Sequence, residues 1–404
     1  MNVGKASTGT DGKRMRKLAI VGGTVVTRDR AIDDGVVLIE DGRVSFVGHR
    51  RDVEPEHGSE IINAVGQMVL PGLIDTHVHG SQGDDVMSCD AQGIKRISRA
   101  QVSYGTTAYL PSTVSAYHED LLRALEACRD ASGDSGPAAE IVGVHVEGPF
   151  INRNKKGAQP ADTIRDPDPD QCLEYLRAAP GLVKIMTLAP ELPGGLELIR
   201  LLVEHQVVAS LGHSEADYDT ALAAIEAGAT HATHLYNAMP ALHHRKPNLT
   251  TACLNEPSIR AEIVLDGIHV APEMARLAAK LKGRDGLILV TDAMAAVGCP
   301  DGTYTLGDNQ VRVQGDRCTL LDGETIASSM LTMNRAVGHA IAFTGMSLVD
   351  AAYMASFLPA HVCGVSDRKG SIEVGKDADI AILDQHYSAS MTICKGEIAY
   401  RSAL

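Results

Sequence analysis

Tryptophan is absent from this chain, and Phe occurs only four times in its 404 residues. Aromatics make up 3% and apolar residues 44%. A core must therefore be packed from Ala, Val, Leu, Ile and Met, as in helices laid closely on a parallel sheet. Basic residues are in deficit: 37 Lys and Arg against 51 Asp and Glu give a net charge of -14. That argues against a nucleic-acid binder, which needs a basic face to hold phosphate backbones. A phosphate ligand would have to be gripped by a local cationic cluster. Paired cysteines are lacking too. The eight Cys fall without CxxC spacing, which argues against a disulfide framework and for a reducing, cytoplasmic setting. No run approaches the roughly 18 apolar residues of a membrane span. Lys13, Arg14, Arg16 and Lys17 precede the apolar run 18–26 as in a secretion signal. Gly22 and Gly23 interrupt that run, however, and no small-x-small cleavage site follows closely. A strand with a Gly-Gly turn is the expectation there.

What is present falls into three textures. Residues 1–16 are read as a disordered extension. Residues 17–68 and 366–404 both carry short Val- and Ile-rich runs broken by Gly, with Asp41-Gly42 and Lys395-Gly396 as hairpin turns. The two ends are expected to form one small β-sandwich module. Residues 69–365 alternate apolar runs with helical periodicity. Candidate strands lie at 69–79, 105–113, 140–148, 182–190, 207–213, 230–236, 260–269 and 286–294. Eight strands with intervening helices predict an α/β fold, a (β/α)8 barrel of the TIM type.

Active sites of such barrels lie at the C-terminal strand ends, and metal-ligating side chains recur at those ends here. His77 and His79 end the first strand, Glu147 the third, His213 the fifth, His234 the sixth and Asp292 the eighth. Residues two apart on a strand share a face, so His77 and His79 can reach one ion. Glu147 can bridge two ions. The imidazoles suit zinc or iron(II) better than magnesium. Asp292 can touch an ion and also accept a proton from water activated beside it. His243, His244, Arg245 and Lys246 form a basic cluster in an acidic chain, and Arg can hold two phosphate oxygens at once.

The segments PGLIDTHVHG, HVEGPFIN, LGHS, THLYNAMP, LDGIHV and VTDAM occur in this order across almost the whole chain. Together they resemble the N-acetylglucosamine-6-phosphate deacetylase family of the amidohydrolase superfamily. The resemblance implies metal-dependent hydrolysis of an acetamide, with one or two divalent ions, zinc or iron. It implies that Glu147, His213 and His234 hold the always-present ion, and that His77, His79 and Asp292 help to hold a second. Asp292 would be the general base. His269 would polarise the acetyl carbonyl. Asn237, Ala238, Ala158, Gln159 and Met330 would meet the sugar phosphate. Arg245 would bind the phosphate, reaching across from the neighbouring subunit of a homodimer.

Three departures from the family pattern bear on the sugar rather than on the ions. Gln159 stands where a His is usual, Asn248 follows Pro247 in place of Gly, and His339 lies in a helix that commonly carries an Arg. An N-acetylgalactosamine-6-phosphate deacetylase is the nearest alternative. Other amidohydrolases bridge their ions with a carboxylated Lys on the fourth strand, but Lys184 lies early on that strand. A non-catalytic barrel would be expected to have lost ligands, and here all are present.

Overall fold

Parallel strands buried on both faces read as continuous apolar runs, and the runs marked above become the staves of a barrel. A computed structural model describes residues 17–133 and 136–403; the extension expected at 1–16 lies outside the described residues. The barrel strands are β1 (Leu73–Val78), β2 (Thr106–Thr113), β3 (Val144–Glu147), β4 (Val183–Leu188), β5 (Val208–Leu211), β6 (His231–Ala232), β7 (Arg260–Val264) and β8 (Leu287–Val290). Each pairs in parallel with the next. A parallel bridge between Val78 and Ala293 closes the ring. There Asp292 N–H donates to His77 O at 2.9 Å, and His79 N–H to Ala293 O at 2.7 Å. Closure thus sets the ends of β1 and β8 side by side, which brings His77, His79 and Asp292 together.

Helices cover the outside, among them His118–Ala131, Gly195–Glu204, Tyr218–Glu226 and Pro272–Gly286. Several begin on a side chain that accepts from the first-turn amides, as Asp90, Asp168, Asp217 and Asn248 do. The helix that carries His339 starts only at Met333. Ser329 pairs with Ala293 instead, its N–H donating to Asp292 O at 2.8 Å.

The chain ends form one eight-stranded sheet. Its hairpins turn at Asp41-Gly42 and Lys395-Gly396, where both residues of each pair have positive φ, as a type I′ turn requires. Leu18, Ile20, Val37 and Ile39 from one end share an apolar cluster with Ile380, Ile382 and Ile393 from the other. The expected first strand, 69–79, divides. Met68–Pro71 joins the end sheet and Leu73–Val78 enters the barrel. Gly72 marks the break, where an added Cβ would lie 2.1 Å from Thr107 Oγ1.

After β8 the chain makes a three-stranded antiparallel excursion, Gly302–Leu306, Asn309–Gln314 and Arg317–Leu320, which the barrel pattern did not predict. Its composition carried the signal: alternating residues around Leu306-Gly307-Asp308 and Gly315-Asp316.

Candidate metal centre and active site

The barrel interior is polar towards its C-terminal end. Thr187 Oγ1 lies 2.6 Å from Thr233 Oγ1, which lies 2.6 Å from Ser210 Oγ. Above this layer the carboxylates and imidazoles converge.

One cluster joins Glu147, His213 and His234. Glu147 Oε1 lies 3.2 Å from His213 Nε2 and 3.0 Å from His234 Nε2, and the two Nε2 atoms are 3.0 Å apart. A second joins His77, His79 and Asp292. Their Nε2 atoms are 3.1 Å apart, and Asp292 Oδ1 is 3.1 Å from His79 Nε2. Glu147 stands between the two: Oε1 is 3.5 Å from His77 Nε2, and Oε2 is 3.6 Å from His79 Nε2. All six residues are buried.

The hydrogen positions decide what the clusters suit. His213 Nδ1 lies 2.7 Å from Lys155 O, His79 Nδ1 3.1 Å from Ser112 O, and His77 Nδ1 3.0 Å from Glu262 Oε2. A carbonyl or carboxylate can only accept, so each Nδ1 carries the proton and each neutral ring turns an Nε2 lone pair inward. Those lone pairs meet one another and two carboxylates, and no Lys or Arg pairs with Glu147 or Asp292 among the described residues. Such a set calls for positive charge. Burial opposes a charged His77, yet Glu147 and Glu262 raise its pKa well above the ordinary value. Burial likewise opposes a charged Asp292, but the His79 hydrogen bond and the nearby imidazoles hold it down to about 2. A divalent cation fits these donors. His234 Nδ1 alone finds no partner among the described residues.

The backbone is bent to present these groups. His213, His234 and Asp292 have φ of 47°, 29° and 53°, and Ala238 and Ser328 beside them have 52° and 60°. Left-handed conformations cost non-glycine residues about 1–3 kcal/mol each. Their gathering at the strand ends marks where the fold spends stability on geometry.

These groups open onto a cavity of about 620 Å³ including its mouth, a usual size for a small-molecule site. His79, Glu147, His213, His234 and Asp292 form its floor, with His77 just beneath; Asn237, Ala238, Ala158, Gln159 and His269 form the walls. His269 Nδ1 donates to Asp266 Oδ2 at 2.7 Å. Burial pushes the His269 pKa down, but the Asp266 contact outweighs it and raises the net value. Gln159 is held at both ends. Its Oε1 accepts from Ser115 N–H at 2.6 Å and its Nε2 donates to Glu147 Oε2 at 2.5 Å. Leu306 and Ile326, from the excursion and the segment after it, also line the cavity.

Two expected substrate contacts are not brought to this cavity within the chain. Arg245 lies on a loop, 241–247, whose residues are all exposed. Met330 faces a separate depression beside Asp316 and Arg335. The bridge at Ser329 carries the chain past the site, with Ser328 Oγ donating to Asp292 Oδ1 at 3.1 Å and Met330 beyond it. Lys184 is the second residue of β4, level with the base of β3 rather than with Glu147, so it cannot replace Glu147 as a bridge. The sequence reading missed Glu262, which holds His77 from behind.

A parallel barrel with two ligand clusters sharing one carboxylate at its C-terminal end defines a class. Residues 68–399 match the amidohydrolase family model, and the chain belongs to that family. Among its relatives is the N-acetylglucosamine-6-phosphate deacetylase of Bacillus subtilis (strain 168), 40% identical over 94% of this chain and 96% of the relative. The N-acetylgalactosamine-6-phosphate deacetylase of Escherichia coli O157:H7 is 32% identical over 93% and 97%. The structure of a Mycobacterium smegmatis N-acetyl-D-glucosamine-6-phosphate deacetylase mutant in complex with N-acetyl-D-glucosamine-6-phosphate superposes with a TM-score of 0.89. It covers 95% of this chain and 99% of that one at 33% identity.

Proposed function

We infer that this chain hydrolyses the acetamide of N-acetylglucosamine 6-phosphate to glucosamine 6-phosphate and acetate. The observation that carries the chemistry is the meeting of two acceptor-only clusters on Glu147, with Asp292 and His269 facing the same cavity. The sugar phosphate is taken from the relatives.

One or two divalent ions, zinc or iron, held by Glu147, His213 and His234 and by His77, His79 and Asp292, would polarise the carbonyl and acidify a water. Asp292 takes the proton from the attacking water as the new C–O bond forms. It returns that proton to the nitrogen as the C–N bond breaks, so acetate and a free amine leave. Ser328 holds the Asp292 carboxylate in line. His269, held as the imidazolium by Asp266 at Nδ1, presents Nε2–H to the acetyl oxygen and stabilises the charge that develops there. Asn237, Ala238, Ala158 and Gln159 shape the sugar subsite.

Arg245 grips the phosphate of a neighbouring subunit's substrate in a homodimer. Its exposure on a loop outside its own cavity suits that role. All eight cysteines are free thiols, and no helix among the described residues is long and apolar enough to cross a membrane. Both fit a cytoplasmic enzyme. An N-acetylgalactosamine 6-phosphate substrate is the second reading, kept open by Gln159 in the place of the family's His and by the relative named for that sugar.

The test is a deacetylation assay across N-acetylglucosamine, N-acetylgalactosamine and their 6-phosphates. A clear preference for N-acetylglucosamine 6-phosphate is expected, lost in Arg245→Ala. Preference for the galactosamine phosphate would install the second reading, and equal rates with and without phosphate would overturn both.

A further inference from the structure

Beneath the ligand clusters lies a carboxylate that the proposed chemistry does not use. Glu262 stands at the middle of β7 and is wholly buried. Its charged neighbours among the described residues are histidines only. Oε2 accepts from His77 Nδ1–H at 3.0 Å; Oε1 accepts from His231 Nε2–H and from the Thr76 hydroxyl, each at 3.2 Å. His145, also close, is engaged elsewhere. Its Nδ1 donates to Thr76 O at 3.1 Å, and its Nε2 accepts from the Thr187 hydroxyl at 2.8 Å. The ring that connects Glu262 to the cavity floor is therefore His77.

The other ligating rings are backed differently. His213 and His79 donate to neutral backbone carbonyls, whereas His77 donates to a buried anion with no Lys or Arg to balance it. A carboxylate behind an imidazole fixes the tautomer and raises the basicity of the inward nitrogen. A buried carboxylate without a countercharge is costly, and a cation one ring away lowers that cost.

We infer that Glu262 is the positioning residue of the second ion. It locks His77 as the Nδ1–H tautomer and aims its Nε2 at the ion shared with His79 and Asp292, and that ion balances its charge through the ring. The inference rests on reading the convergent imidazoles as ion ligands. Among the described residues no anion stands behind a ring of the Glu147, His213 and His234 site, which Glu262 reaches only through the His234 backbone N–H at 3.5 Å, so the two ions should respond unequally when Glu262 is changed.

The experiment is a stepwise zinc titration of chelator-stripped protein, read by calorimetry and elemental analysis, with nitrogen NMR of the imidazoles in the metal-free state. Glu262→Gln keeps the volume and removes the charge. The parent is expected to take two equivalents. In the Gln variant the second should weaken by about 10–100-fold, the usual cost of losing such a partner, while the first changes by less than about threefold. In the metal-free state the His77 nitrogen signals of the variant should differ from the parent's, because the carboxylate that holds the Nδ1 proton is gone. Glu262→Asp, which keeps the charge with a shorter reach, should weaken the second ion less; it serves as the test if the Gln variant does not fold. Unchanged binding of both ions, or equal weakening of both, would overturn the inference. A parent that takes one ion overturns it as well, and a parent that takes none overturns the ligand reading beneath it.

Discussion

Two charge clusters lie at opposite ends of the strand region from 140 to 147, and they are built on opposite plans. At its start, Glu140 pairs with Arg368 at 2.6 Å and with Lys369 and Lys395 at 3.0 Å each. Asp377 pairs with Arg368 at 3.1 Å, and Asp379 bonds Lys369. Three acids meet three bases, and the cluster pins the barrel to the end sheet. At the far end, among the described residues, histidines are the only possible cations that pair with Glu147, Glu262 and Asp292. The first cluster is complete by itself and reads as structural. The second has acceptors converging with no fixed cation, and the proposed divalent ion would complete it. Burial of charge alone does not mark a site; the missing countercharge does.

The sharpest way to break the comparison is one substitution in each cluster. Asp292→Asn keeps the shape and removes the proposed proton acceptor. We expect kcat to fall by roughly 10²–10⁴-fold, the usual contribution of a general base, with thermal stability largely kept. A variant within a few-fold of the parent in a steady-state assay places the base elsewhere. Lys369→Met should do the reverse. It leaves Asp379 and Glu140 buried beside one fewer cation, which typically costs about 3–5 kcal/mol, read by denaturant unfolding. kcat of the folded fraction should be unchanged. A large fall in kcat with little loss of stability would mean that the two clusters are not independent.

The complete cluster also has an acid limit. Burial opposes the Glu140 charge, but Arg368, Lys369 and Lys395 lower its pKa from 4.5 to about 2. A depressed carboxylate contributes stability that is fully present above 4.5 and lost as pH falls towards 2. Unfolding free energy should drop across that window, and Glu140→Gln should flatten this part of the profile. An identical profile in the variant would remove Glu140 from the account.

Most of this was legible in the sequence, for one reason. The convergent groups sit at strand ends, where an apolar run stops, so His77, His79, Glu147, His213, His234 and Asp292 stood out against their surroundings. Glu262 did not. It lies inside RAEIV, where a single acid in a buried strand was the one available signal. The left-handed backbone at His213, His234 and Asp292 left no trace either, because none of them is glycine. The position of Met330 beyond the bridge at Ser329 left no trace, because that bridge depends on barrel closure, a contact between distant segments.

Gln159 gives the smallest expected effect. It ties Glu147 to Ser115 and also lines the cavity. One neutral hydrogen bond is worth roughly 1 kcal/mol, so Gln159→His should shift kcat/KM between the two sugar phosphates by less than about tenfold. No shift for either sugar would detach Gln159 from specificity and leave it as a support for Glu147.

The central claim is that the acceptor-only cluster is completed by a metal ion. Elemental analysis of the purified protein, followed by chelation and re-addition of zinc or iron with activity measured at each stage, tests it most directly. About one or two equivalents per chain are expected, with activity lost and regained alongside them. Full activity in protein stripped of metal would contradict the account.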